Sequence, residues 1–543
     1  MTKYFDKKLI ICFFLFKKKH IINLLMNQIE AKPIIQTKIT RFGYIINKNT
    51  LTDSQLATIK RDLTVEPFII GNYGFAKKNR KFSIYMENGD YIAIPKYYGL
   101  EKFGLPLINR LETYKYPIQD IKYIGLLRPH QETIVNNVIT GMNKHRGGLL
   151  LAGCGLGKTN MAIYIACYYK LKTLFIVHKT FLKNQIIDRI KSTTNVKNIG
   201  IIQQKKVKTD YPFVVAMVHS LVKRDYDDAI FKDFGMIIID EVHHMGAKNF
   251  SKVYQKIGAK YMLGISAERK RRDGLYKIIN WYMGPILHAE EQKPNDMVVV
   301  KKFYYRTSNK ERSMIIKNKY TGEPDRSTMV TNLVHIKKRN RFIIKLIEEL
   351  YDEGKNILCL TGRIMQVNLF YKLLEQNEYL KGQVGKYLGG MSEDKLAESA
   401  TKQIILGTYS MAEEGLDIGN LNVVILCTPK SAIKQSVGRI LRKDVYEEHP
   451  IVIDIVDEDN TVLKRQQNAR DQYYRRQKFH IQEFKVADYK LIGYSDWDDT
   501  NAIRDALTKL PDKNSNKSFH KKTTQHMYQK INYDAIACAS DDD

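Results

Sequence analysis

Cysteine is scarce in this chain, and its placement argues against two common kinds of metal site. The 543 residues include six cysteines, and no two of them form a Cys-x-x-Cys pair. They are Cys12, Cys154, Cys167, Cys359, Cys427 and Cys538. Zinc ribbons and iron–sulfur clusters are built from paired cysteines, so the sequence supports neither. We expect an intracellular protein in a reducing compartment.

Long hydrophobic runs are also missing. The apolar run Leu9–Phe16 is preceded by two lysines and ended by Lys17–Lys19, and no small-residue cleavage site follows it. A run of this length cannot cross a bilayer, which takes about 20 apolar residues in a helix. We expect residues 1–25 to be a dispensable extension, with Met26 as a workable alternative start, and we expect no association with a membrane.

Acidic residues are outnumbered by basic ones. The chain has 58 Asp and Glu against 88 Lys and Arg, a formal net charge of +30. A surplus of this size predicts a polyanionic partner such as nucleic acid, although charge that serves only solubility is the alternative. The excess is spread along the whole chain and therefore locates no site.

The length predicts several domains, and the hydrophobic pattern divides the chain into segments. Short buried strands alternate with amphipathic helices in two stretches, which predicts an α/β fold with two parallel-sheet lobes. The predicted segments are an extension (1–25), an N-terminal α+β accessory domain (27–115), a first lobe (120–290), a connector (291–335), a second lobe (336–460), a charged helical extension (461–510) and a disordered tail (511–543).

A glycine-rich loop lies between the apolar run Leu149–Leu151 and a helical pattern that starts at Met161. Glycines let backbone N–H groups turn toward phosphates at a helix N-terminus, and Lys158 can reach the β- and γ-phosphates. The Thr159 hydroxyl can hold Mg²⁺. The loop predicts a site for ATP and Mg²⁺ lined by Ala152, Gly153, Cys154, Gly155, Leu156, Gly157, Lys158 and Thr159, the alternative being a plain turn.

Two carboxylates follow the apolar strand Met236–Ile239. Asp240 and Glu241 emerge at the carboxyl end of this strand, where doubly wound sheets bind ligands. We expect Asp240 to hold Mg²⁺ and Glu241 to orient the attacking water, because phosphoryl transfer depends on positioning and charge stabilisation. The following His243 and His244 have no further ligand cluster near them, so a zinc site is disfavoured.

The order of these motifs resembles that of superfamily 2 helicases and translocases of the DExH type, over residues 126–445. The resemblance implies two tandem RecA-like lobes that bind ATP between them. Gln131 then corresponds to the glutamine that reads adenine, and Ala152 matches the first position of this family's phosphate loop. The family grips one nucleic-acid strand with loops that correspond here to His178 and Lys179, and to His219 and Ser220.

The segment Ser266, Ala267, Glu268 resembles the coupling motif that the family normally writes Ser-Ala-Thr-Pro. Glu268 and Arg269 replace Thr-Pro, so the hydroxyl that would link the ATP site to strand movement is missing. We therefore expect an altered efficiency of coupling but intact ATP binding. The following Arg271–Asp273 resembles the Arg-Glu-Asp of xeroderma pigmentosum group B helicases, with a solvated basic loop as the alternative.

Gln435, Arg439 and Arg442 are spaced by four and three residues, which predicts one face of a helical turn. A guanidinium can pair bidentately with phosphate oxygens. The family resemblance implies that the two arginines act as fingers on the transferred phosphate, with Gln435 beside them; a structural helix with exposed arginines is the alternative.

Four further positions in the second lobe follow from the same resemblance. It implies that Thr408 and Arg363 lie near a nucleic-acid phosphate. It also implies that Gly415 and Asp417 lie near the nucleotide ribose.

The sequence therefore predicts an ATP-dependent helicase or translocase that acts on DNA in preference to RNA. It most resembles group B helicases and the transcript-release helicases of poxviruses and other large DNA viruses, which implies a role in viral transcription termination or repair. The transcription machinery is then a candidate partner, and the virion or the viral factory a candidate location. The alternatives are an RNA helicase, a restriction-type DNA translocase without a recognisable nuclease motif, and a non-hydrolysing nucleic-acid-binding scaffold.

Overall fold

A computed structural model describes residues 35–68, 81–153, 155–268, 273–290, 296–414, 416, 418–441, 448–488, 490–492 and 500–509. The predicted extension 1–25 and tail 511–543 lie outside these residues, as do Cys154, Gly415, Asp417 and Arg442. In the described part of the chain, no helix combines the length and the apolar character needed to span a membrane.

The N-terminal region is built around a five-stranded sheet. Its strands run in the order β5-β6-β2-β1-β7, and every neighbouring pair is antiparallel except β1 and β7. Helix α1 starts with a capping box in which Thr52 and Gln55 bond each other's backbone N–H groups. The elements are β1 Thr37–Thr40, β2 Gly43–Asn47, α1 Asp53–Asp62, β3 Thr64–Val65, β4 Phe82–Ser83, β5 Met86–Asn88, β6 Tyr91–Ile94, α2 Lys96–Phe103, β7 Ile108–Asn109 and α3 Arg110–Thr113.

The first lobe is an eight-stranded sheet in the order β11-β10-β12-β9-β13-β14-β8-β15, parallel except for β11. Its central strands are unbroken apolar runs without alternation, as expected when helices cover both faces of a parallel sheet. The elements are α4 Pro129–His145, β8 Gly147–Leu151, α5 Lys158–Tyr169, β9 Thr173–Val177, α6 Thr180–Thr193, β10 Gly200–Gln203, β11 Lys206–Lys208, β12 Phe213–Met217, α7 Val218–Lys223, β13 Met236–Asp240, β14 Tyr261–Ser266, α8 Tyr276–Met283 and β15 Ile286–Ala289.

The second lobe repeats this plan with the order β18-β19-β17-β20-β21-β16-β22-β23, parallel except for β23. The elements are β16 Val299–Arg306, α9 Lys310–Ser313, α10 Arg326–Leu333, α11 Lys337–Asp352, β17 Ile357–Thr361, α12 Ile364–Glu375, β18 Val384–Tyr387, α13 Glu393–Ala400, β19 Ile404–Thr408, α14 Tyr409–Glu414, β20 Val423–Leu426, α15 Lys434–Val437, β21 Ile451–Asp457, α16 Thr461–Lys464, α17 Gln467–Arg476, β22 His480–Ala487, β23 Lys490–Leu491 and α18 Thr500–Thr508. The predicted fold class, two parallel-sheet lobes behind an N-terminal α+β region, is confirmed.

The N-terminal region and the first lobe share one hydrophobic core. The Tyr282 hydroxyl on α8 donates a hydrogen bond to the carbonyl of Ile84, 2.6 Å away. Tyr98 on α2 meets Trp281 edge to face with ring centroids 5.3 Å apart. Because Ile84, Tyr98 and Tyr282 are buried, the N-terminal region packs as an integral layer on the first lobe.

The structure differs from the sequence interpretation at two segments beside the second lobe. The segment interpreted as a connector contains β16, and the segment interpreted as helical contains β22; both strands belong to the second sheet. Strand β16 cannot be recognised from the sequence, because nothing in the sequence indicates that Lys301 and Lys302 are buried. Lys301 Nζ donates to two carbonyls near the end of α18 and to Gln482, while Lys302 Nζ lies 2.9 Å from an Asp471 carboxylate oxygen.

Candidate active site

The phosphate loop follows β8 and ends at the N-terminus of α5. Gly155 and Gly157 take left-handed backbone conformations, with φ of 83° and 77°. A Cβ atom at residue 157 would collide with the side-chain amide nitrogen of Gln131. Only glycine adopts this conformation at low cost, so the loop shape predicted from the sequence depends on these two residues.

Lys158 is the first residue of α5 and points back into the loop. Its Nζ donates to the Gly153 carbonyl at 3.2 Å. Its positive charge opposes the rise in the pKa of Asp240 that burial and Glu241 cause, and it contributes to the lowered pKa of Glu241. Lys158 therefore points into the loop, at the same sheet edge as the carboxylates, because β8 and β13 belong to one parallel sheet.

Asp240 and Glu241 lie where the sequence predicts, at the carboxyl end of β13. Burial and the charge of Glu241 raise the pKa of Asp240. Burial also acts on Glu241, but contacts with His243 and the charge of Lys158 outweigh it and lower the pKa of Glu241. Glu241 has a left-handed φ of 47°, a strained conformation for a side chain of this kind. Such strain is typical of functional positions.

His243 belongs to this site, although sequence reasoning considered it only as a metal ligand. Its Nδ1 lies 2.9 Å from the Ser266 hydroxyl and 3.2 Å from Glu241 Oε2. Its Nε2 lies 4.0 Å from Glu268 Oε2. The fourth position of the Asp-Glu-Val-His motif was the signal for this role, because it follows Glu241 by two residues on a tight turn.

Gln131, expected to read adenine, is buried against the phosphate loop. Its Nε2 donates to the Leu156 carbonyl at 2.9 Å, and its Oε1 accepts from the backbone N–H of Arg128 at 2.9 Å. In this structure the amide therefore supports the loop.

The residues at this site fit a magnesium ion bound with the nucleotide. Glu241 Oε2 is buried and lies 3.2 Å from His243 Nδ1. Burial raises the pKa of Asp240, so a cation beside this carboxylate would stabilise its ionised form. Thr159 lies on the first turn of α5, one strand away from Asp240 across the sheet, because β14 separates β8 from β13. Hydroxyl and carboxylate oxygens are the ligands that Mg²⁺ prefers.

The second lobe reaches the first through Gln435. Its Nε2 donates to Glu268 Oε1 at 3.3 Å. Helix α15 ends at Val437, so it is too short to carry Gln435, Arg439 and Arg442 on one helical face. Arg439 lies instead in the turn that follows the helix. The Arg439 guanidinium donates to the carbonyls of Ala412 and Leu416 within its own lobe. The predicted partner Arg442 and the predicted ribose contacts Gly415 and Asp417 lie outside the described residues.

The predicted strand-gripping residues of the first lobe follow neighbouring strands β9 and β12. His178 packs against His244, with ring centroids 4.4 Å apart, and Lys179 lies 5.9 Å from the Phe181 ring. His219 is exposed. Ser220 is buried, and its hydroxyl accepts a hydrogen bond from the backbone N–H of Gln204. The structure thus presents His219 to solvent and gives Ser220 a structural contact.

The corresponding residues of the second lobe follow neighbouring strands β17 and β19. Thr408 is half-buried, with its hydroxyl 3.2 Å from that of Ser410. The Arg363 guanidinium donates to the Ser327 backbone and side chain and to the Thr331 hydroxyl. Both residues lie at the carboxyl edge of the sheet, and α10 orients Arg363.

Comparison with known proteins agrees with this geometry. Residues 125–271 match the family profile described as type III restriction enzyme, res subunit, and residues 338–444 match that of the helicase conserved C-terminal domain. A provisionally named ATP-dependent RNA helicase L396 of Acanthamoeba polyphaga mimivirus is 61% identical over 483 residues, covering 88% of this chain and 92% of that protein. A provisionally named helicase 161L of Invertebrate iridescent virus 6 is 24% identical over 391 residues, covering 68% and 84%.

Among solved structures, T4 UvsW is 18% identical and matches over 84% of this chain and 99% of that one, with a TM-score of 0.34, a likeness too distant to bear on function. These matches do not show a specific likeness to group B helicases. The identity of 61% extends over most of both proteins, and two helicase domains match in the expected order. This chain therefore belongs to the superfamily 2 helicases found in large DNA viruses, enzymes that hydrolyse ATP and act on nucleic acid.

Proposed function

We propose that this chain moves along RNA by closing its two lobes on one ATP molecule in each cycle. Lys158 would hold the β- and γ-phosphates, Glu241 would orient the attacking water, and Arg439 and Arg442 would stabilise the transferred phosphate from the second lobe. The observation that carries this proposal is that the phosphate loop after β8 and the acid pair at the end of β13 lie at one edge of a parallel sheet, one strand apart, with Lys158 Nζ turned into the loop. The loop, the acid pair and the lysine thus form one site.

Magnesium has a defined place in this proposal. Thr159 and Asp240 would hold the ion, which when bound neutralises charge on the phosphates. Burial raises the pKa of the half-buried Asp240 carboxylate, which means that it carries its charge at some cost without a cation. Occupancy by Mg²⁺ would favour the ionised form, so nucleotide and metal should bind cooperatively.

Arg439 would have to change partners to act as a finger. Its guanidinium contacts the carbonyls of Ala412 and Leu416 in the structure. Phosphate oxygens carry more negative charge than carbonyls, so ATP can compete for the guanidinium when the lobes approach. Breaking and restoring these contacts in each cycle would link nucleotide state to the position of the second lobe.

The choice of RNA follows the name of the 61% identical mimivirus protein. The sequence interpretation favoured DNA on resemblance to group B and poxvirus helicases, and DNA stays the second candidate. The surplus of basic residues is compatible with RNA and with DNA, because contacts to phosphate do not distinguish ribose from deoxyribose.

The deciding experiment measures ATP hydrolysis by the full-length chain with single-stranded RNA and single-stranded DNA of equal length and sequence. Salt must be equal in both series, because phosphate contacts make affinity salt-dependent. The proposal expects RNA to give the larger stimulation of kcat at saturation. A larger stimulation by DNA would replace RNA with DNA, and no stimulation by either would refute a nucleic-acid motor.

We also propose that the chain acts in infected cells beside the viral transcription machinery, in transcription termination or repair. The support is its family and the resemblance of its motifs to viral transcript-release helicases. Affinity purification of the tagged chain from infected cells should recover subunits of the viral RNA polymerase. Recovery of replication proteins without polymerase subunits would contradict the proposal.

A further inference from the structure

Glu268 lies at the position where the family normally has a threonine hydroxyl. It lies two residues beyond the end of β14, and β14 lies between the strand that carries the phosphate loop and the strand that carries Asp240 and Glu241. Its backbone N–H donates to the Ser266 hydroxyl at 3.0 Å. Glu268 is therefore fixed at the centre of the ATP site's sheet edge, while its side chain is 44% exposed and can reach outward.

The Glu268 carboxylate lies between two groups from opposite sides of the cleft. Oε1 accepts the hydrogen bond from Gln435 Nε2 in the second lobe at 3.3 Å. Oε2 lies 4.0 Å from His243 Nε2 in the first lobe. His243 in turn lies 3.2 Å from Glu241 Oε2. A continuous series of side chains thus runs from the expected water-positioning residue to the helix that precedes Arg439.

A glutamate suits this position because of its length and its two acceptor oxygens. A threonine hydroxyl is one bond from Cβ, whereas the glutamate oxygens are two bonds further out. A carboxylate can also accept from two donors at once, and a charged acceptor makes the stronger hydrogen bond. The departure from the family pattern that the sequence revealed thus coincides with a contact that needs this longer side chain.

We propose that Glu268 is a positioning residue that couples the two lobes in place of the missing threonine, by holding His243 and Gln435 together when the lobes are closed. The contact is half-exposed and can be broken and remade in each cycle. The inference rests on the proposed roles of Glu241 and Gln435 in ATP hydrolysis. The Glu268 carboxylate would then link the ATP site of the first lobe to Gln435 of the second lobe.

The test compares Glu268→Ala with Glu378→Ala, a control at an exposed glutamate in the loop after α12. Glu268→Ala should reduce the kcat of nucleic-acid-stimulated ATP hydrolysis about tenfold, the effect of losing a hydrogen bond to a charged group. Affinity for a fluorescent non-hydrolysable ATP analogue should stay within about twofold, because Glu268 does not line the phosphate loop. The control should match the wild type in both assays.

A double-mutant cycle separates coupling from a general structural effect. In a Gln435→Ala background, Glu268→Ala should have no further effect on stimulated kcat. The exchanged pair, Glu268→Gln with Gln435→Glu, should recover most of the stimulation lost in Gln435→Glu alone, since it restores a donor opposite an acceptor. Multiplicative effects of the two alanine changes, or wild-type stimulation in Glu268→Ala, would overturn the inference.

The same experiments distinguish this inference from the proposed function. If the wild type shows no stimulation by nucleic acid, the proposed function fails and the inference falls with it. If the wild type is stimulated and Glu268→Ala is stimulated equally, only the inference fails. Lower thermal stability of Glu268→Ala than of Glu378→Ala, with equal loss of nucleotide binding and kcat, would show a structural role and also overturn it.

Discussion

Replacing Gly157 by alanine tests the geometry of the phosphate loop. The residue has a φ of 77°, and a Cβ atom would collide with the Gln131 amide nitrogen. A left-handed conformation costs a residue with a side chain about 1–2 kcal/mol. Gln131 is only 3% exposed and is held by two hydrogen bonds, so it cannot move aside without losing the bond to the loop, worth about 0.5–1.5 kcal/mol.

The two effects together predict a cost of about 2–3 kcal/mol for the loop in its nucleotide-binding shape. If the loop of the variant adopts another conformation without nucleotide, nucleotide binding must restore the binding conformation, and affinity for a fluorescent ATP analogue should fall roughly 30- to 150-fold. If the loop keeps its shape, the cost appears instead as a lower Tm. Gly389→Ala is the matched control, because Gly389 is exposed and a Cβ there meets only Met411 Sδ, at an ordinary contact distance. Wild-type affinity and Tm in Gly157→Ala would refute this reasoning.

Three further predictions concern the second lobe. Arg439→Ala should reduce stimulated ATP hydrolysis at least about 100-fold, because an arginine finger stabilises the transition state. Nucleotide binding, measured by fluorescence, should stay close to wild type. Equal losses of hydrolysis and binding would contradict this role for Arg439. Arg339→Ala should lower the free energy of unfolding by about 3–5 kcal/mol in denaturant unfolding, because it leaves the Asp457 carboxylate buried without its guanidinium partner. A loss below about 1 kcal/mol would contradict this reasoning. Burial acts to raise the pKa of Glu458, but its paired lysine and arginine lower the pKa overall. Its contribution to folding stability is therefore present above the unfolded pKa of about 4.5 and is lost as pH falls through the folded pKa. Glu458→Gln should weaken the fall in Tm at acid pH, and an unchanged pH profile of Tm would exclude this contribution.

The sequence allowed the nucleotide site to be predicted in detail because its signals are local. Glycines at 155 and 157, Lys158, and the acid pair after an apolar strand each depend on a few consecutive residues. The strands that carry them are buried on both faces, so their apolar runs are unbroken and easily recognised. The structure places the phosphate loop and the acid pair at the same edge of one parallel sheet, and their roles in catalysis stay predictions.

Contacts between distant segments could not be predicted in this way. Strand β16 is not predicted because Lys301 and Lys302 look like surface residues, although both are buried and find partners on α17, β22 and α18. Ser220 accepts a hydrogen bond from the backbone of Gln204, beyond the end of β10, a contact that no local pattern indicates, and its expected place at a nucleic-acid phosphate stays a prediction. The Glu268–Gln435 contact joins two lobes, and no sequence pattern encodes the distance between them.

The most direct test of the central claim is the rate of ATP hydrolysis by Lys158→Ala with and without saturating single-stranded RNA. The matched control is Lys381→Ala, which removes an exposed lysine far along the chain in the second lobe. The site described here predicts strong RNA stimulation in the wild type and the control, and none in Lys158→Ala. Wild-type turnover in Lys158→Ala would contradict the claim that this loop holds the ATP that drives the motor.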